Sequence, residues 1–137
     1  MIEQTVLEIS KWDYNEPSEP IEDRERILNF TSLDVQKKRN SQKKGLACRF
    51  TGQFVFEEAV LLEFVGEHSY VIDFHEVIDK NELLRMIRNS FTMFYEKFEF
   101  MKHTTVLKDR ELSPLNESLI DLDAILPLLE STDSVLG

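Results

Sequence analysis

Asp73 and His75, in the stretch SYVIDFHEV (69–77), stand two residues apart on what reads as a strand, so both side chains would share one face. A carboxylate and an imidazole held that way could work as an acid–base pair. The wet face of a half-buried strand has the same look. His68 falls in an expected turn and His103 at an expected helix end, with no metal-like spacing to each other or to the single cysteine. His103 suits the partial negative charge of a helix C-terminus. Cys48 is in phase with Leu46 and Phe50, which predicts a small buried hydrophobe and not a reactive thiol. The glycines at 45, 52, 66 and 137 are scattered, so no loop is built to cradle phosphate. Nothing in this set argues for an enzyme, and neither a cofactor nor a metal ion is expected.

One basic concentration stands out, Lys37, Lys38, Arg39, Lys43 and Lys44 within KKRNSQKKG (37–45). It could receive an acidic partner or a phosphate group. Read instead as a solvated hairpin tip, it would discourage edge-to-edge pairing of strands. Around it the chain is acidic, with a formal net charge of −10, which disfavours nucleic acid and anionic membrane surfaces as partners. Neither a signal-peptide pattern at the start nor an apolar run long enough for membrane insertion is present in the sequence. A lone cysteine cannot form an internal disulfide, which fits a cytoplasmic setting. At 137 residues, the expectation is one domain over 1–130 and a flexible tail over 131–137.

The elements that must position these residues follow from hydrophobic period. QTVLEI (4–9) reads as a strand or arm that continues to Tyr14, before a connector holding Pro17 and Pro20. Residues 24–36 read as a strand whose apolar phase flips from Leu28 and Phe30 to Leu33 and Val35, as a β-bulge near Thr31–Ser32 would produce. Leu46, Cys48, Phe50, Phe54 and Phe56 alternate with polar residues, and Val60, Leu62 and Phe64 keep their parity. A reversal at Glu57–Ala59 would pair Phe56 with Val60 and Phe54 with Leu62, although 57–65 also has helix-forming composition. A second reversal is expected at Gly66–His68. From Asp79 the period becomes helical: Asp79 and Glu82 have capping-box spacing, and one amphipathic helix is expected over 80–103. A loop and a second apolar segment, 117–130, interrupted by Pro127, complete the chain. Strands first and helices last predict an α+β fold, an antiparallel sheet of about four strands with helices on one face.

The long helix carries five aromatic rings within residues 91–100. Phe91, Phe94, Tyr95 and Phe98 share one face, but Phe100 does not. Met86, Met93 and Phe100, spaced by seven, form a second stripe nearly opposite the first. Such a stripe can be covered by segment 117–130, by a second subunit, or by apolar segments of another protein.

This layout resembles the SecB-like fold of export chaperones. ISKWDYNEPSEP (9–20) is similar to that family's first strand and acidic, twice-proline connector. SFTMFYEKFEFM (90–101) lies where the family has an aromatic-rich helix, with Lys97 in place of an arginine. LSPLNESL (112–119) looks like its proline-containing turn before the last helix. The resemblance implies a cytosolic homo-oligomer, a dimer or tetramer, that holds non-native polypeptide without ATP. Clients would lie between sheet and helices, which makes Tyr14, Phe54, Phe56, Phe64 and Phe100 candidate contacts, with Met86 and Met93 at a peptide or oligomer interface. The alternative is a dedicated inhibitor or adaptor that binds one folded protein partner.

Overall fold

The computed structural model describes residues 2–19, 21, 25–37 and 42–130. Two long strands form its spine: β4, Lys43–Phe56, and β5, Ala59–Asp73, pair along their whole length. β3, Leu28–Lys37, pairs antiparallel with β4 on one side. β1, Ile2–Gln4, and β2, Glu8–Tyr14, pair in turn with successive parts of β5 on the other. Among the described residues, the sheet therefore has five antiparallel strands. The extra strand arises because residues 5–7 leave the ladder between β1 and β2. Two helices follow, α1 over Lys80–Lys102 and α2 over Leu122–Glu130, with a single 3-10 turn at Glu117–Leu119 between them. The α+β architecture is as the period pattern implies.

β4 and β5 meet in a two-residue turn with Glu57 at φ 51° and Glu58 at φ 67°. Positive φ at both positions is the geometry that matches the right-handed twist of a hairpin. Phe54 faces Leu62 as expected. Phe56, however, pairs with Ala59 and Val55 with Val60, one place off the predicted three-residue reversal. A bulge absorbs the difference, and Leu61 and Leu62 are both buried beside it. Residues 57–65 are thus turn and strand, not helix.

The expected reversal at Gly66–His68 does not exist, because β5 runs straight through it. Gly66 serves packing instead. A Cβ there would lie 2.6 Å from Cδ1 of Phe94, so its absence lets the α1 ring settle on the sheet. Phe94 in turn stacks on Phe50, centroids 4.9 Å apart, while Phe98 meets Phe64 edge-on at 4.9 Å and Trp12 at 5.3 Å. These rings and the inward residues of β4 and β5 form the core.

The β3–β4 register is unbroken from Leu28 opposite Gln53 to Lys37 opposite Lys44, so the predicted bulge near Thr31–Ser32 is absent. The phase flip is real but has another meaning. Leu33 and Val35 point toward the helices, whereas Leu28 and Phe30 point out of the opposite face. Among the described residues, no helix covers that face.

Asp79 caps α1, its carboxylate accepting the Glu82 N–H at 2.7 Å. Segment 117–130 does not continue as one helix, and Pro127 lies inside the nine-residue α2. Lys44 is buried, not part of a solvated tip. Its inward phase carries the ammonium to the Leu129 carbonyl at the C-terminal end of α2, where a cation is favoured. Lys38 and Arg39 of the same run, and the predicted tail 131–137, lie outside the described residues.

Candidate functional site

Four exposed apolar residues, Leu28, Phe30, Val55 and Val60, lie together on the outer sheet face. Leu28 is 57% exposed and Phe30 is 61% exposed. Phe30 shares a row with Thr51 and Val65, Leu28 shares one with Gln53 and Glu63, and Val55 faces Val60 in the next. A shallow cleft of about 650 Å3 opens over these rows. Its surroundings are charged but internally paired: Lys11 meets Glu63 at 2.9 Å, Arg49 meets Glu67 at 3.3 Å, and Arg26 meets Glu111 at 3.7 Å. An apolar centre inside a polar rim is the usual anatomy of a contact surface. Leu28, Phe30 and Val55 line the cleft together with the Thr51 hydroxyl and the Gln53 amide.

Of the seven residues singled out by sequence, Phe54 and Phe64 border that cleft and the other five do not. Phe54 and Phe64 are buried between sheet and helices, Phe54 beneath the Arg110 guanidinium at 4.9 Å from the ring centre. The space between the layers, where the resemblance would seat a client, is occupied by the chain's own rings. Tyr14 is half-buried, and its hydroxyl accepts the Val106 N–H at 3.1 Å. Phe56 is also half-buried at the edge of the core.

The second helix stripe splits. Met86 is buried within its own chain, Met93 is half-buried, and Phe100 is 75% exposed with the Lys97 ammonium 5.9 Å from its ring centre. The reason is geometric. The buried line passes through Ser90, Phe94, Phe98 and Lys102 in steps of four, and each such step advances about 40° around a helix. Residues seven apart slip back by about 20° per step. The two lines start as neighbours at Met86 and are on opposite sides by Phe100.

The Asp73–His75 pair is not displayed on one strand face. β5 stops at Asp73, and His75 belongs to the turn that follows. A different polar cluster lies in the core, where sequence expected a turn. His68 is buried, and its Nδ1 lies 2.7 Å from the Ser90 hydroxyl on α1. Cys48 is its cross-strand neighbour. Burial pushes the Cys48 thiol up to about 11, with Ser90 pulling weakly the other way, so the thiol is inert at neutral pH. Burial also holds the His68 imidazole below its ordinary value, opposed by a weaker pull from the Thr5 backbone. Among the described residues, Nε2 of His68 has no hydrogen-bond partner.

With this geometry in hand, comparison with known proteins is informative about fold alone. No protein-family model and no curated protein matches the sequence. A crystal structure of a protein of unknown function from Streptococcus agalactiae is similar, with a TM-score of 0.50 at 7% sequence identity. The likeness covers 85% of this chain and 97% of that one. What is shared is the fold.

Sequence reasoning missed Leu28 and Phe30 as surface residues. The signal was present in their phase, opposite to that of Leu33 and Val35 on the same strand, but it was assigned to a bulge.

Proposed function

We propose that this chain is a non-enzymatic binding protein that holds apolar polypeptide, in the manner of the SecB-like chaperones it resembles, and that it does so on the outer sheet face. The supporting observation is the side-by-side exposure of Leu28 and Phe30 on a face that no helix covers among the described residues. The occupant would be an extended or non-native segment, taken up by apolar burial over the cleft and by its paired rim. The proposal includes a cytoplasmic setting and a homo-oligomeric state. A dedicated inhibitor or adaptor with one folded partner is the second reading, favoured by the ion pairs around the patch, which would orient a rigid partner.

Aggregation assays with several unrelated unfolded proteins separate these readings. Near-stoichiometric suppression by the wild type, lost in a Leu28→Ser/Phe30→Ser variant, is the expected result. If wild-type protein leaves every unfolded client to aggregate, the chaperone reading fails and the single-partner reading takes its place.

A further inference from the structure

Residues 2–7 are lightly held. β1 has three residues, Val6 beyond it is 84% exposed, and the ladder is interrupted over residues 5–7. At the interruption a side chain stands in for main chain: the Ser69 N–H donates to the Thr5 hydroxyl at 3.0 Å, while the Thr5 N–H donates to the Ser69 carbonyl at 2.9 Å. Between β1, β5 and α1 lies a cleft of about 350 Å3, lined by Ile2, Gln4, Tyr70, Met86 and Asn89, with Glu82 and Arg85 paired to each other at its rim. The Asn89 amide spans it, donating to the Gln4 side-chain oxygen at 3.3 Å and to the Tyr70 hydroxyl at 2.9 Å. Residues 2–7 thus help to cover Tyr70, Ile72 and Met86, all of them buried.

His68 sits beside this cover. The Ser90 hydroxyl meets its Nδ1 from α1, the Tyr70 ring meets it edge-on at 4.8 Å from its own strand, Cys48 is its neighbour on β4, and the Thr5 backbone acts on it from residues 5–7. A neutral imidazole has one donor and one acceptor, and a protonated one has two donors. Among the described residues, Nε2 has no partner and no carboxylate acts on the ring. A proton on His68 would therefore place a charge in the core without a counterion, which is costly until water reaches it. α1 is badly placed to yield, because Leu83, Ile87, Phe94 and Phe98 are fully buried along it. Residues 2–7 have much less to lose.

We propose that residues 2–7 form an acid-released lid, closed while His68 is neutral and opened when the ring takes a proton. Opening bares the β5 main chain at Ser69 and Val71 and the apolar groups of Tyr70, Ile72 and Met86. The chain then presents an inner apolar surface in acid that it hides at neutral pH. Proton linkage sets the size of the effect. With the ordinary value of 6.5 for the open ring and no protonation of the closed one, going from pH 7.5 to pH 5.5 multiplies the open population by about ten. The lid involves neither Leu28 nor Phe30, so it stands or falls separately from the holding function.

Amide hydrogen exchange of the full chain at pH 7.5 and 5.5, corrected for the intrinsic effect of pH on exchange, tests the lid. Main-chain groups alternate in direction along a strand, so the Val71 amide points toward residues 2–7 as the Ser69 amide does. Both should exchange faster than the Ile87 and Phe94 amides of α1 at either pH, and their open fraction should rise roughly tenfold at pH 5.5. In His68→Gln, neutral at both pH values, that rise should vanish. Ser69 and Val71 amides that exchange no faster than those of α1 in the wild type, or that open equally at both pH values, would overturn the proposal, whether or not the variant folds. A folded His68→Gln variant that keeps the tenfold rise would overturn it too.

Discussion

Gly66 shows how little room single residues have in this core. Its missing Cβ is the space that Phe94 occupies. Gly66→Ala should lower stability by about 1–3 kcal/mol through overpacking, read from urea denaturation, with the fold retained. A loss below a few tenths of a kcal/mol would mean that α1 shifts freely on the sheet. His68 gives a pH dependence with a defined sign. Burial keeps it neutral in the folded chain, so just below its ordinary value of 6.5 the unfolded chain binds more protons. Its contribution to stability is therefore complete above that value and is lost as pH falls from there toward the depressed folded-state value. The groups around it are the Ser90 hydroxyl on α1, the Tyr70 ring on its own strand, the Cys48 thiol on β4 and the Thr5 backbone. Among the described residues, no carboxylate contributes to its shift. The denaturation midpoint of the wild type should fall between pH 7.5 and 5.5 more steeply than that of His68→Gln. Parallel curves would assign the acid sensitivity to other groups.

At the scale of elements, the β4–β5 hairpin holds strain that its sequence could shed. Glu57 and Glu58 both adopt positive φ, a conformation that costs an ordinary residue roughly 1 kcal/mol and that Asn and Gly accept far more readily. Glu57→Asn/Glu58→Gly should raise stability by about 1 kcal/mol, seen as a higher thermal midpoint, and an unchanged midpoint would show that the turn is relaxed. The helix start has the opposite character. Asp79 accepts the Glu82 N–H, so Asp79→Ala should cost about 1 kcal/mol. That cap was legible because Asp79 and Glu82 stand at a fixed spacing ahead of an apolar repeat. The hairpin was legible only in part. Alternation located the reversal, but nothing local says that two glutamates will adopt a glycine-like conformation instead of a longer loop.

At the scale of the molecule, both described helices lie on one side of the sheet and Leu28 and Phe30 are exposed on the other, and this controls where substitutions matter. Leu28→Ser/Phe30→Ser should change stability by no more than about 0.5 kcal/mol per site, because both side chains are largely solvent-exposed already. The same pair at Phe50 and Phe94, stacked in the core, should unfold the chain. A denaturation series on the two double variants checks that contrast. Phe100 belongs with the first group despite its place in an aromatic-rich helix. Phe100→Glu should leave stability within the same range, and a drop in oligomeric mass on that substitution would mark the ring as a subunit contact.

Local period was enough to determine the α+β class, the long capped helix, and the inward faces of β4 and β5, because alternation and 3.6-residue repeats are properties of neighbouring residues. The tertiary structure decided the rest. Gly66 reads as a turn until a helix ring is found against it, and Leu28 and Phe30 read as a bulge until they are found exposed on the face away from the helices. Met86 and Phe100 look equivalent along the helix until its crossing of the sheet buries one and exposes the other. In each case the deciding partner is distant in sequence, and spacing along the chain carries no information about what will pack there.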